Sequence, residues 1–185
     1  MTYEVHTCIP YDPEGNKNLG AVYNKEMSRL KNDNDYMIFI DHDAIPTTPD
    51  WQMKIIEIIN ENPSIGAFTC KTNRVNCKWQ LAEVDRKSND MAYHRSEGKR
   101  VLDRFGTSVS DMTRKQLMSG VMIVLKKSVW KKIKGFKNGM LGVDNDFHKR
   151  LIKVREKLYL MNGIYLYHWY SNSDLTRSRN TNHLK

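Results

Sequence analysis

Short apolar blocks of strand length alternate along this chain with stretches in which apolar residues recur every three or four positions. The blocks are EVHTCI (4–9), YMIFI (36–40), IGAFT (65–69), VMIVL (121–125) and, near the end, LYLM and IYLY. This alternation is typical of an α/β fold. Because YMIFI has no polar alternation, we expect a mostly parallel sheet that helices cover on both faces.

The helical periodicity predicts four helices and leaves one long segment open. We expect helices at 19–30, from Thr48 as cap and Pro49 as first helical residue, around 127–134, and at about 144–155. Residues 71–119 are polar and irregular, with one candidate helix near 89–105. The whole chain, 1–185, is expected to form one domain, with a mobile tail at 171–185.

Composition predicts the charge of a binding partner and the cellular location of the protein. The 185 residues carry a net charge of +9, which favours an anionic partner: nucleic acid, acidic membrane, phosphorylated ligand or acidic polymer. The three cysteines are odd in number and lack zinc-site spacing, and no apolar run is long enough to span a membrane. We therefore expect a cytoplasmic protein, with peripheral contact at an anionic membrane as a further option.

Two carboxylates stand at the end of a strand that is expected to be buried on both faces. Asp41 and Asp43 directly follow YMIFI, and ligands of open α/β sheets bind beyond the carboxyl ends of the strands. Side chains two residues apart on a strand point the same way, so both acids can reach one cation. The alternative is that the acids only begin a turn before Pro46.

A second acidic cluster lies at the predicted start of the last helix. A purely structural interpretation is available: Asp144 caps the helix, and Asp146 pairs with Arg150. Asp144 precedes Phe147 and Leu151 by one and two helical turns, so it extends the buried face, whereas Asp146 is rotated by about 200°. Asp144 is therefore the better candidate for chemistry.

Four segments together resemble the GT-A glycosyltransferases, most closely the inverting family 2. They are NLGAVYN, YMIFIDHDAIPTTPDW, SGVMIVLKKSVWKKIKGFKNGMLGVDNDFHKRL and YLYHW, in this order along nearly the whole chain. The resemblance implies a single-domain GT-A fold, Rossmann-like and of the nucleotide-diphospho-sugar transferase type. It also implies metal-dependent transfer of a sugar from a nucleotide-sugar donor to an acceptor hydroxyl, with inversion.

The resemblance also assigns roles to residues. It implies that Asp41, His42 and Asp43 bind the nucleotide sugar and a divalent cation, Mn2+ or Mg2+. His168 occupies the place of a metal-binding histidine near the chain end. Asp144 falls on the catalytic base, although Val143 replaces the glutamate that usually precedes it.

The remaining assignments are less closely tied to the pattern. Asp146 is expected to contact the acceptor or to support the site. The nucleotide-binding half is short, because only YDPEGNKN joins Pro10 to the first helix. The nearest nucleotide contacts it offers are Pro10, Tyr11 and Asp12, with Asn24 on the helix that follows.

The sequence leaves the substrates and two other functions open. The donor is expected to be a UDP- or GDP-sugar and the acceptor a glycan, lipid or protein, with no nucleic acid bound. One alternative is a haloacid-dehalogenase-like magnesium phosphatase that uses Asp41 as nucleophile. The other is a non-enzymatic, basic nucleic-acid-binding domain, which explains the charge but not the two acidic clusters.

Overall fold

A computed structural model describes residues 2–11, 15 and 17–169. The described part contains these strands: β1 (Val5–Cys8), β2 (Tyr36–Ile40), β3 (Ala44–Pro46), β4 (Ala67–Thr72), β5 (Val109–Asp111), β6 (Met122–Lys126) and β7 (Tyr159–His168). Its α-helices are α1 (Leu19–Arg29), α2 (Trp51–Glu61), α3 (Met91–Phe105), α4 (Lys127–Lys132) and α5 (Val143–Lys153). The predicted α/β class is confirmed. The predicted mobile tail, 171–185, lies outside the described residues.

The strands form one seven-stranded sheet in the order β1-β2-β6-β4-β7-β3, with β5 also paired to β7. The β1/β2 and β4/β7 pairs are parallel, whereas β2/β6, β4/β6, β3/β7 and β5/β7 are antiparallel. The prediction of a mostly parallel sheet is therefore wrong. Burial on both faces produced the continuous apolar blocks, and burial does not reveal the direction of a strand.

Two apolar cores lie on the two faces of this sheet. On one face, Tyr23 and Met27 of α1 pack with Phe147 and Leu151 of α5. On the other face, the buried isoleucines of α2 pack with Ile38 of β2 and its neighbours. Successive residues of β2 alternate between the two cores, as the pleat of a strand requires. The two cores fix the strand ends, where the polar residues lie.

Several element boundaries differ from the predicted ones, among them those of β7 and α2. LYLM and IYLY belong to one strand, β7, because Asn162 hydrogen-bonds to the Ser110 side chain at 2.9 Å and Gly163 lies against the Gly106 carbonyl. The pair continues the strand through a register shift against β4 instead of forming a turn. Helix α2 begins at Trp51 with Asp50 at the N-cap, so neither Thr48 nor Pro49 starts it.

The segment that the sequence left open, 71–119, covers the β7 side of the sheet. Helix α3 packs on β7, with Val101 against Tyr165. His94 is fully buried and hydrogen-bonds through Nδ1 to the Tyr165 hydroxyl at 2.7 Å. No helix of the described residues is long and apolar enough to cross a membrane.

Candidate active site

Strand pairing brings Asp41 and Asp43 to the same edge of the sheet as His168. The Asp41 amide donates to the Val121 carbonyl at 3.1 Å, one residue before β6 begins. On the other side, Ala44 of β3 pairs with His168 of β7, and the Trp169 amide donates to the Asp43 carbonyl at 2.8 Å. The carboxyl ends of β2 and β7 therefore meet here, as the prediction for the strand-end acids required.

Asp41, Asp43 and His168 form a compact group, which we call the strand-end cluster. Their oxygen and nitrogen ligand atoms lie within 4.8 Å of one another, and His168 Nε2 is 3.3 Å from Asp43 Oδ1. His168 Nδ1 lies 2.8 Å from the Arg74 carbonyl, which can only accept. Nδ1 therefore carries a proton, and in the neutral ring Nε2 presents its lone pair to the acids. The cluster offers two carboxylates and one imidazole.

Burial and the neighbouring acids disfavour the ionised form of Asp41 in the strand-end cluster. The pKa of Asp41 is raised to about 6: burial raises it most, His168 lowers it in part, and the charges of Asp43 and Asp144 add to the increase. For Asp43, burial acts in the same direction but the hydrogen bond with His168 prevails and lowers the pKa. Burial opposes the charged form of His168, yet the contact with Asp43 raises the pKa of the ring. A cation at this position would relieve the repulsion between the acids.

Residues of the open 71–119 segment hold His168 in place. Its amide donates to Asn73 Oδ1 at 2.7 Å, which fixes the orientation of the Asn73 amide and leaves Nδ2 buried without a partner. The Arg74 guanidinium donates to the Ser88 carbonyl at 2.9 Å and to Asn89 Oδ1 at 2.8 Å. Sequence reasoning missed Asn73 and Arg74, because no spacing ties them to a histidine more than ninety residues away.

Asp144 lies inside the first turn of α5 and faces the β6 end. Its Oδ2 accepts from the Gly120 amide at 2.9 Å and its Oδ1 from the Asn145 amide at 2.8 Å. The predicted capping role is wrong, because Gly142 is the N-cap and no side chain caps the helix. A Cβ at Gly120 would stand 3.1 Å from Asp144 Cβ, so the close approach depends on this glycine. Burial raises the pKa of Asp144.

Asp146 lies on another face of α5. Its Oδ2 accepts from Arg150 Nε at 2.5 Å, which confirms the predicted pair, and it lines a concave surface with Lys132 and Lys134. The helical-face argument thus separates the two acids correctly. An acceptor contact by Asp146 stays a prediction.

Tyr23 links Asp144 electrostatically to the strand-end cluster. Burial raises the pKa of this α1 hydroxyl well above its ordinary value, and the charges of Asp41 and Asp144 raise it further. Asp144 also contributes to the raised pKa of Asp41. Asp144 is therefore near the strand-end cluster, since its contact Gly120 directly precedes Val121, the partner of the Asp41 amide. Tyr23 belonged to the apolar stripe of α1 in sequence, so nothing marked it as a neighbour of the acids.

The predicted nucleotide contacts lie in different places. Continued by two residues past β1, the β1/β2 register places Pro10 beside Asp41. The next residue, Tyr11, is 77% exposed. His42 is exposed in the turn between the two acids of the cluster. Asp12 lies outside the described residues.

Asn24 is held by the chain itself. Its Nδ2 donates to the Phe136 carbonyl at 2.9 Å, and its Oδ1 accepts from the Phe136 amide at 2.8 Å and from Trp130 Nε1 at 2.9 Å. These bonds give the side chain a structural role between α1 and the turn after α4.

Comparison with known proteins supports the fold assignment. No protein-family model and no curated protein matches the chain. A solved structure of a Drosophila β-1,4-galactosyltransferase 7 mutant, in complex with manganese, UDP-Gal and xylobiose, superposes with a TM-score of 0.53 at 11% identity. The match covers 99% of this chain and 79% of that chain. The chain therefore has the GT-A fold, as the resemblance implied, while membership of family 2 stays a prediction.

Proposed function

We propose that this protein transfers a sugar from a nucleotide-sugar donor to an acceptor hydroxyl, in a reaction that depends on a divalent cation and inverts the anomeric centre. The observation that carries the proposal is the placement of Asp144 and the strand-end cluster in one site. The GT-A fold and the galactosyltransferase neighbour, with its manganese, UDP-Gal and xylobiose, support it. By analogy, the donor is a UDP- or GDP-sugar and the acceptor presents a sugar hydroxyl.

The strand-end cluster fits a cation of the Mn2+ or Mg2+ type. Two carboxylates are typical ligands of both ions, and an imidazole beside them favours Mn2+, since Mg2+ prefers oxygen ligands. The hydrogen bond from His168 Nδ1 to the Arg74 carbonyl resembles the support that metal-binding histidines usually receive. Asp41, Asp43 and His168 would hold the ion. When bound, it would supply positive charge for the leaving diphosphate.

Asp144 is the group that takes the proton. Its carboxylate is oriented by the Gly120 and Asn145 amides, and Oδ1 also accepts from Asn145 Nδ2 at 3.3 Å. Oδ2, which accepts one bond, keeps a lone pair for an acceptor hydroxyl. Burial raises its pKa towards neutrality, which makes it a stronger base than an exposed aspartate. As the acceptor oxygen attacks the anomeric carbon, Asp144 removes its proton, and a single displacement of this kind inverts the centre.

The two alternatives from the sequence have less support. The phosphatase alternative placed a nucleophile at Asp41, but here an antiparallel strand, β6, lies beside β2, and the chain has the GT-A fold. The nucleic-acid alternative leaves the strand-end cluster without a purpose.

A panel of nucleotide sugars tests the proposed function. We expect Mn2+-dependent release of nucleoside diphosphate from one UDP- or GDP-sugar, accelerated by the matching acceptor. Chelation should abolish the release and added Mn2+ should restore it. Metal-independent hydrolysis of a phosphate monoester, with no release from any nucleotide sugar, would favour the phosphatase alternative instead.

A further inference from the structure

The positive charge of this protein is concentrated in one short part of the chain. Residues 126–155 contain ten lysines and arginines against two aspartates, which gives +8 of the total of +9. The rest of the chain is nearly neutral. The charge is therefore a local property of α4, α5 and the turn between them.

The basic side chains of these two helices line one concave surface of about 470 Å³. We call it the α4–α5 surface; its charged residues are Lys132, Lys134, Asp146, Lys149, Arg150 and Lys153. Asp146 pairs with Arg150, and Lys132 pairs with Glu156. In the part of the chain that the structure describes, no acid lies within ion-pair distance of Lys134, Lys149 or Lys153. Three exposed ammonium groups thus lack a counter-charge from the described residues.

The composition of this surface distinguishes between anionic partners. Four of the five basic residues of this surface are lysines, which act as point charges, and its one arginine, Arg150, is paired with Asp146. The surface therefore lacks a free guanidinium fork, the group best suited to bidentate contacts with bases and phosphates. Binding of single strands needs aromatic rings free to stack, but Phe136 and Phe147 are buried and Trp130 donates its indole N–H to Asn24.

The outer face of α5 combines charge with exposed apolar area. Lys149, Ile152 and Lys153 are spaced three and four residues apart and share this face, with Ile152 38% exposed. Lysines around an exposed aliphatic side chain suit a layer of anionic headgroups over hydrocarbon, where the lysine stems extend along the apolar surface.

We propose that the α4–α5 surface binds the anionic headgroups of a phospholipid bilayer. The attraction is electrostatic, with each lysine near the headgroups adding to it, and it does not require the proposed catalytic function. Asp144 lies in the first turn of the same helix but faces Gly120 and does not line this surface, so docking through α5 does not cover the candidate base.

Vesicle sedimentation with charge-matched variants tests this proposal. The full chain is mixed with vesicles of phosphatidylcholine containing about 30 mol% phosphatidylglycerol, or with phosphatidylcholine alone, at low salt. The test variant is Lys134→Gln/Lys149→Gln/Lys153→Gln. The control is Lys87→Gln/Arg95→Gln/Lys99→Gln, which removes the same three charges from exposed positions elsewhere. Circular dichroism checks that both variants are folded.

We expect the wild type to bind anionic vesicles and not neutral ones, with binding lost as salt rises. The test variant should bind at least about 10-fold more weakly and the control within about 2-fold of wild type. Equal losses in both variants, or equal binding to neutral vesicles, would overturn the proposal. It would also be overturned if duplex DNA bound the wild type more tightly than the anionic vesicles did and the test variant lost that binding.

Discussion

The strand-end cluster and the start of α5 reach the same site by different means. The backbone of Asp43 is held by Trp169 and that of His168 by Asn73, so the β3/β7 edge keeps its shape without their side chains. Asp144, in contrast, is held by its own carboxylate, which contacts the Gly120 amide across a close approach of backbone and side chain. We therefore expect the cluster to tolerate side-chain loss structurally, and Asp144 to be sensitive to added volume.

The largest effect should follow from Asp43→Ala. Since the Asp43 carbonyl, not its carboxylate, pairs with Trp169, the strand edge should remain and the melting temperature should change little. Turnover with Mn2+ should fall by about 10³-fold, because a ligand of the cation is lost. Nucleoside diphosphate release and a thermal melt measure the two quantities. Wild-type activity with unchanged metal dependence would show that the cluster holds no catalytic cation.

His168→Gln should act on cation affinity more than on the chemical step. The ring contributes Nε2 to the cluster, so its loss should raise the Mn2+ concentration for half-maximal activity by about 10-fold or more. At saturating Mn2+, turnover should recover to within a few-fold of wild type. An unchanged Mn2+ titration would give His168 a purely structural role beside Arg74.

Gly120→Ala should disturb Asp144 and leave the strand-end cluster unchanged. The added Cβ would stand 3.1 Å from Asp144 Cβ and 3.6 Å from Oδ2, which forces the carboxylate to move by a few tenths of an ångström. We expect turnover to fall by about 10-fold while the Mn2+ titration stays as in wild type. A shifted Mn2+ titration with normal turnover would contradict the assignment of Gly120 to the Asp144 side.

The smallest effect concerns pH. A base must be deprotonated to act, and burial raises the pKa of Asp144, so activity should fall as pH drops through that raised value. At saturating Mn2+, the acid limb of kcat should lie above the range of an exposed aspartate, about 4. Asp146→Asn should leave this limb in place. A limb at or below that range would mean that Asp144 is not the titrating base.

These comparisons rest on features that the sequence predicted in part. Strand-end acids and the helical face of Asp144 were readable, because periodicity and apolar runs determine which side chains share a face. The direction of β6 could not be predicted, because a strand that is buried on both faces has the same apolar pattern whether it runs parallel or antiparallel to its neighbours. LYLM and IYLY were expected as separate strands, yet side-chain bonds from Asn162 to Ser110 and close packing of Gly163 on Gly106 keep β7 continuous.

The surroundings of His168 were the least predictable part. Arg74 and Asn73 contact it through a segment without apolar periodicity, whose shape depends on hydrogen bonds to backbone carbonyls such as that of Ser88. Such contacts leave no spacing in the sequence. Asn24 shows the opposite error. The sequence offered it as a nucleotide contact, but in the structure its side-chain amide is bonded to Phe136 and Trp130.

The most direct test of the account compares Asp144→Asn with Asp146→Asn on the same helix. Both changes remove one charge and keep the side-chain size, and Asp146→Asn breaks a partly exposed pair worth roughly 0.5 kcal/mol. We predict that Asp144→Asn lowers kcat by about 10²-fold or more with donor affinity nearly intact, and that Asp146→Asn stays within a few-fold of wild type. If Asp146→Asn lost more turnover than Asp144→Asn, the base would belong to the other face of α5 and the proposed mechanism would be wrong.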